Sequence, residues 1–167
     1  MLFSLRLPVV EMAANFSVSV QQQDFDVSAE LTLLREQSSQ VGAIANFVGV
    51  VRDINDQQNV ATLELEHYPG MTEKSISDIM AQAAERWQLL GGRVIHRIGK
   101  LSPGDQIVLV AVSSLHRGEA FAACEFIMDY LKTRAPFWKK ELTPDGERWV
   151  DARDSDHSAA ERWNYSF

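Results

Sequence analysis

The chain has 167 residues, 46% of them hydrophobic and 23% charged, with a formal net charge of −7. That length suits one domain with a sizeable core, and an acidic pI near 5.1 excludes a general nucleic-acid binder, which needs a broad basic face. The longest apolar stretch, Val41 to Val51, is interrupted by Asn46 and falls short of the about 20 residues that a bilayer-spanning helix needs. Cys124 is the single cysteine, so no intrachain disulfide forms, and a reducing, cytoplasmic setting is the simpler inference. Met1 to Val10 is mildly apolar but carries its Arg6 inside the apolar run, and no small-x-small cleavage site follows. It reads as an extension, not a signal peptide.

In chain order, Phe16 to Val20 alternates apolar and polar and predicts a first strand. Asp26 or Ser28 then caps a short helix carrying Leu31 and Leu34, which ends near Gln37 to Gln40. Val41 to Val51 is β-rich, and Val60 to His67 sets Leu63, Leu65 and His67 against Glu64 and Glu66. The polar stretch Arg52 to Asn59 between them predicts the longest mobile loop of the chain. From Thr72 the period changes: Ile76, Ile79, Met80, Ala83, Ala84 and Trp87 form one apolar helical stripe, which Gly91-Gly92 is expected to end. Val94, Ile98 and Leu101 lead through the turn Ser102-Pro103-Gly104-Asp105 to the strand Ile107 to Val112, as a hairpin. A second long helix is predicted from Gly118 to Arg134, with Phe121, Cys124, Met128 and Leu131 as core candidates. Trp138 to Leu142 and Arg148 to Ala152 flank Thr143-Pro144-Asp145-Gly146 as another hairpin, and a short helix runs from Ser155 or Asp156 to Trp163. No repeat, low-complexity segment or linker interrupts this order, so the fold class is α+β in one domain.

Four of the 16 Lys and Arg residues fall in nine positions, as Lys132, Arg134, Lys139 and Lys140. Pro136 lacks an N–H and pushes its predecessor out of the helical region, so the helix stops there and a turn brings Lys132 and Lys139 together. A strand points Lys139 and Lys140 to opposite faces, so at most one of them joins Lys132. A lone lysine at a helix C-terminus is explained by the macrodipole alone. The cluster is not, because like charges repel unless something offsets them, and it is read as an anion pocket.

His116 and Arg117 stand where a strand hands over to a helix, whose free N–H groups favour anions; Arg117 can add a charge-assisted pair worth roughly 1.5–3 kcal/mol. Ser113 and Ser114 offer hydroxyls there, while a loop histidine and a solvated arginine are the plainer reading. Arg52, at a strand end, and Arg153, beyond the last hairpin, are weaker candidates. Cys124 sits on a buried helix face and is a poor nucleophile. The four histidines, His67, His96, His116 and His157, lack paired metal spacing, and no phosphate-loop, dinucleotide or nucleophile-elbow motif occurs, so neither a metal nor a cofactor is expected.

Leu65-Glu66-His67-Tyr68-Pro69-Gly70-Met71, Ile95-His96-Arg97-Ile98-Gly99, Pro103-Gly104-Asp105, His116-Arg117, Met128 to Lys140 and Arg148-Trp149-Val150 together resemble the catalytic (large) subunit family of molybdopterin synthase. The resemblance runs in order from Phe16 to Trp163. Members commonly begin near Met12, so 1–11 is expected to be a disordered extension and 12–167 the large-subunit domain. The resemblance implies an α/β-hammerhead fold, with mostly antiparallel strands and two long helices. It implies a homodimer within a heterotetramer, flanked by small ubiquitin-like sulfur-carrier subunits that end in Gly-Gly. The carrier's C-terminal thiocarboxylate delivers sulfur to cyclic pyranopterin monophosphate, forming the molybdopterin dithiolene in two transfers and opening the cyclic phosphate. Its two catalytic lysines fall on Lys132 and Lys139. Substrate contacts fall on Val50, Val51, Arg52, His116, Arg117, Lys132, Lys139, Lys140 and Glu141, with Arg153 as a further pocket cation and His-Arg supplied across the dimer. Val50 stands where relatives often have lysine, which leaves a backbone contact there, and Gly118 stands where serine is frequent. Two readings compete with the enzyme: a non-catalytic dimeric module that binds a phosphorylated pterin or a carrier tail, and a phosphoryl-transfer enzyme needing Mg²⁺ and a carboxylate pair.

Overall fold

The computed structural model describes residues 15–165, so the expectation for 1–11 lies outside the described residues. The strands β1 (Phe16–Gln21), β2 (Ala43–Val50), β6 (Leu89–Arg97) and β8 (Gln106–Ser114) form one sheet in the order β1-β6-β8-β2. β5 (Thr62–His67), β7 (Gly99–Leu101), β9 (Phe137–Thr143) and β10 (Gly146–Val150) form a second, in the order β10-β9-β5-β7. β1 and β6 run parallel, and every other pairing among the described residues is antiparallel. The α+β, mostly antiparallel reading therefore holds.

The first sheet is covered on both faces, which explains the unbroken apolar run of β8. Val108, Val110 and Val112 face α2 (Met71–Arg86) and α3 (Arg117–Arg134), while Leu109 and Ala111 face α1 (Val27–Glu36). Asp26 caps α1 by accepting from the Ala29 N–H at 3.0 Å. A smaller cluster of Val51, Leu63, Leu65 and Leu101 packs under the second sheet. The chain ends in α4 (Asp154–Glu161) and a 3-10 turn, Arg162–Tyr165.

Four expectations are corrected. α2 stops at Arg86, and Gly91 and Gly92 lie inside β6. Their role is close approach: a Cβ on Gly92 would come within 2.9 Å of Met80 and Phe16, and one on Gly91 within 2.3 Å of the Gln37 side chain. The hairpin partner of β8 is β6, with His96 opposite Val108, whereas β7 leaves to join the second sheet. Phe121 is 65% exposed, and the core face of α3 is instead Ala120, Ala123, Phe126, Ile127 and Tyr130, with Cys124 and Leu131. Finally, the polar stretch after β2 is not an irregular loop but a small hairpin of β3 (Ile54–Asn55) and β4 (Gln58–Asn59). Its two-residue turn holds Asp56 at φ 50 and Gln57 at φ 64, the left-handed pair that matches the twist of a tight hairpin.

Candidate active site

A cleft of about 600 Å³ opens between the end of β2, the last turns of α3, the inner face of β9 and the segment after β10. Its shape follows from the break at Pro136. Ala135 is extended at φ −81 and ψ 130, as the residue before a proline must be, and α3 ends there. The buried Thr72 hydroxyl donates to the Pro136 carbonyl at 2.9 Å and accepts from the Tyr68 N–H at 3.0 Å, tying this turn to the start of α2.

Alternation along β9 sorts the basic cluster. Phe137, Lys139 and Glu141 line the cleft, and Lys132 reaches it from the last helical turn. Lys140 points to the other face, between Glu64 and Glu147 at 3.6 Å each and 5.6 Å from the Trp149 ring centre. Arg134 stacks on Tyr130 at 3.8 Å and is accounted for by that contact. The expected pairing of Lys132 with one, and not both, of the β9 lysines is what the fold produces.

Burial pushes the Lys139 ammonium down to about 8 from an ordinary 10.5, and the charge of Lys132 and a hydrogen bond to it push the same way. His96, in the cleft wall, is stacked on Phe137 with ring centres 3.8 Å apart and 19° between planes. Burial lowers its imidazole from 6.5 to about 3, so it is neutral at physiological pH. Its Nδ1 lies 2.8 Å from the Arg97 carbonyl; a neutral ring must donate there, which leaves Nε2 as an acceptor.

Arg52 and Arg153 enter the same cleft and converge on Asn55. The Asn55 Oδ1 accepts from Arg52 Nη2 at 2.9 Å and from Arg153 Nη2 at 2.6 Å, and its Nδ2 donates to Glu141 Oε1. Arg148 completes the group, donating through Nε to Glu141 Oε2 at 2.9 Å and through Nη2 to the Asn55 carbonyl at 3.0 Å. Glu141 is thus buried at 5% exposure with both oxygens engaged. Val50 is 48% exposed on the cleft rim at a β-bulge. Val51 is buried, its N–H bonded to Asp105 and its carbonyl to Gly104, so it offers the cleft side-chain carbon alone.

His116 and Arg117 are not brought to this cleft within one chain. They are exposed at the start of α3, and 15 residues of helix separate Arg117 from Lys132, about 22 Å at 1.5 Å per residue. Ser113 and Ser114 do not serve them: both are fully buried, with Ser114 2.8 Å from the Gln88 carbonyl and 3.1 Å from a Glu119 oxygen. Burial pushes the Cys124 thiol up to about 12, which makes it a poor nucleophile. Among the described residues, no group of three His, Cys, Asp or Glu side chains is placed to hold a metal ion.

Of the residues that sequence reading passed over as site candidates, Asn55 and His96 line the cleft, and Arg148 braces it through Glu141. Asn55 meets Glu141 across 86 positions and Arg153 across 98, separations at which neither spacing nor periodicity carries a signal.

The family described as MoaE protein matches residues 20–134. The molybdopterin synthase catalytic subunit of Vibrio cholerae is 66% identical over 146 residues, covering 87% of this chain and 97% of that protein. This chain belongs to the MoaE family of molybdopterin synthase catalytic subunits. The solved MoaE protein of Burkholderia ambifaria, described as a molybdopterin biosynthesis protein, superposes with a TM-score of 0.77 at 55% identity, covering 90% of this chain and 99% of that one. The fold extends to a Helicobacter pylori chain at 22% identity and a TM-score of 0.65, covering 82% of this chain and 90% of that one; that chain was solved as a complex of subunits 1 and 2 of molybdopterin-converting factor. As a MoaE family member the chain is a sulfurtransferase subunit of molybdenum cofactor biosynthesis.

Proposed function

We propose that the cleft between α3 and β9 is where sulfur passes from the C-terminal thiocarboxylate of a small ubiquitin-like carrier subunit, ending in Gly-Gly, to cyclic pyranopterin monophosphate. Two transfers build the dithiolene and open the cyclic phosphate. The observation that carries this reading is Lys139, partly buried beside Lys132 in a cleft that also gathers Arg52 and Arg153. A thiocarboxylate and a phosphate are both anions, and bringing them together in a partly dry cleft costs electrostatic energy that fixed cations offset. Arg52 and Arg153 suit the phosphate, because a guanidinium fork matches its oxygens.

Lys132 lies nearest the carrier's terminal carbonyl in this reading, where its charge stabilises the oxyanion of a tetrahedral acyl intermediate. Lys139 works at the substrate. An ammonium that titrates near 8 hands over a proton at neutral pH far more readily than one near 10.5. Lys140 acts from the outer face of β9, and Glu141 from the cleft wall by anchoring Asn55. His116 and Arg117 belong to the site of a second copy, which makes the working unit a homodimer carrying one carrier at each end. The reducing cytoplasm is the setting, consistent with a lone buried thiol.

The test is reconstitution. This protein, the carrier thiocarboxylate and cyclic pyranopterin monophosphate are mixed and the dithiolene product is measured. Product that requires the thiocarboxylate is the expected result. Binding of both partners without product would instead make the chain a capture module.

A further inference from the structure

Two arginines converge on one neutral oxygen in the cleft wall. Asn55 is 7% exposed, and its amide is fixed in orientation because the Glu141 carboxylate can accept from Nδ2 but cannot donate to Oδ1. Its Oδ1 therefore faces Arg52 and Arg153. Glu141, the nearest buried carboxylate, is taken up by Arg148 at 2.8 Å. Without Asn55 between them, Glu141 stands where it would attract the two cleft guanidinium groups as well.

We propose that Asn55 is a positioning residue that holds Arg52 and Arg153 side by side as a phosphate clamp, by placing a neutral amide between them and Glu141. The inference rests on the reading of the cleft as a phosphate-binding site and adds the group that sets its geometry and its charge. Like charges so close repel, and an amide oxygen offsets this only in part. A bound dianionic or monoanionic phosphate supplies the rest, taking the guanidinium N–H groups that Asn55 leaves free. Asp56 also meets Arg153, at 3.2 Å, but both groups are half or more exposed, and such pairs are weak. An aspartate in place of Asn55 would neutralise both arginines directly and set its own charge against Glu141. An alanine would release them.

Steady-state rates are measured with saturating carrier thiocarboxylate for Asn55→Asp and Asn55→Ala. Both variants are expected to raise KM for cyclic pyranopterin monophosphate at least about tenfold, with kcat changed less than about threefold, the mark of lost binding and not of lost chemistry. In parallel, phenylglyoxal labelling of Arg52 and Arg153 is mapped with and without inorganic phosphate. Phosphate is expected to protect both in the wild type and neither in the variants. Unchanged KM, or protection that persists in a folded Asn55→Asp, overturns the proposal. Should Asn55→Asp fail to fold, Asn55→Ala decides by the same two readouts. The labelling uses no carrier and no sulfur transfer, so a wild type that shows protection but no product would overturn the proposed function and leave the clamp standing.

Discussion

Lys139 is held in a state that the folded protein disfavours. With its ammonium lowered from 10.5 to about 8, the charged form is destabilised on folding by about 1–3 kcal/mol at neutral pH. The unfolded chain keeps the proton between about pH 8 and 10.5 while the folded chain has lost it, so this residue makes stability rise across that window. Lys139→Met is therefore expected to melt higher than the wild type at pH 7 by a few degrees while losing turnover, a measurement that calorimetry and product assay make together. If the protonated lysine is the working form, single-turnover rates fall as pH rises through about 8, and Lys139→Arg removes that fall. His96 works in the opposite range. Its imidazole, lowered to about 3, stays neutral in the fold while the unfolded form takes a proton below 6.5, so stability falls as pH drops from 6.5 towards 3. In His96→Gln this acid loss is expected to shrink, as read by chemical denaturation at pH 7 and pH 4.5.

The two lysines meet because one element ends and another begins. α3 must stop before Pro136, β9 must start at Phe137, and Thr72 pins the junction from α2. Thr72→Val keeps the shape but leaves the Pro136 carbonyl and the Tyr68 N–H without their partner, and is expected to destabilise by about 1–3 kcal/mol in urea unfolding. The turn itself was legible in the sequence, since a proline stop and strand alternation act within a few residues. So was the opposition of Lys139 and Lys140, which needs period-two geometry alone, whereas the choice of Lys139 over Lys140 came from the family resemblance. The end of α2 was misread because Gly91-Gly92 carries two meanings locally, helix stop or close approach, and the Met80 and Phe16 contacts that decide between them are tertiary. The β3–β4 hairpin was missed for a related reason. Its turn is Asp56-Gln57, without the glycine that usually signals two left-handed residues, and contacts from Arg153 help to hold it. Gln57→Gly relieves that backbone and is expected to raise stability by a few tenths to about 1 kcal/mol without changing turnover.

At the scale of the whole molecule, the proposed function needs a second copy to complete the cleft. Its cations come from the segment after β2, α3, β9 and the post-β10 segment, and His116 with Arg117 lies at the far end of α3. Sequence alone could place His116 and Arg117 at a helix start, but their reach to any cleft depends on a second chain. A dimer in which they cross the interface makes a concrete expectation: Lys132→Ala and Arg117→Ala chains, each inactive alone, recover one intact site when paired, about half the wild-type turnover per mixed dimer in a two-fold assembly. Sites built within one chain would recover nothing. The central claim, that the α3–β9 cleft performs sulfur transfer and does not merely bind, is tested most directly on Lys132→Ala given carrier thiocarboxylate and cyclic pyranopterin monophosphate. Carrier affinity within about threefold of wild type and dithiolene formation reduced at least about 100-fold are expected, whereas full turnover by that variant would contradict the account.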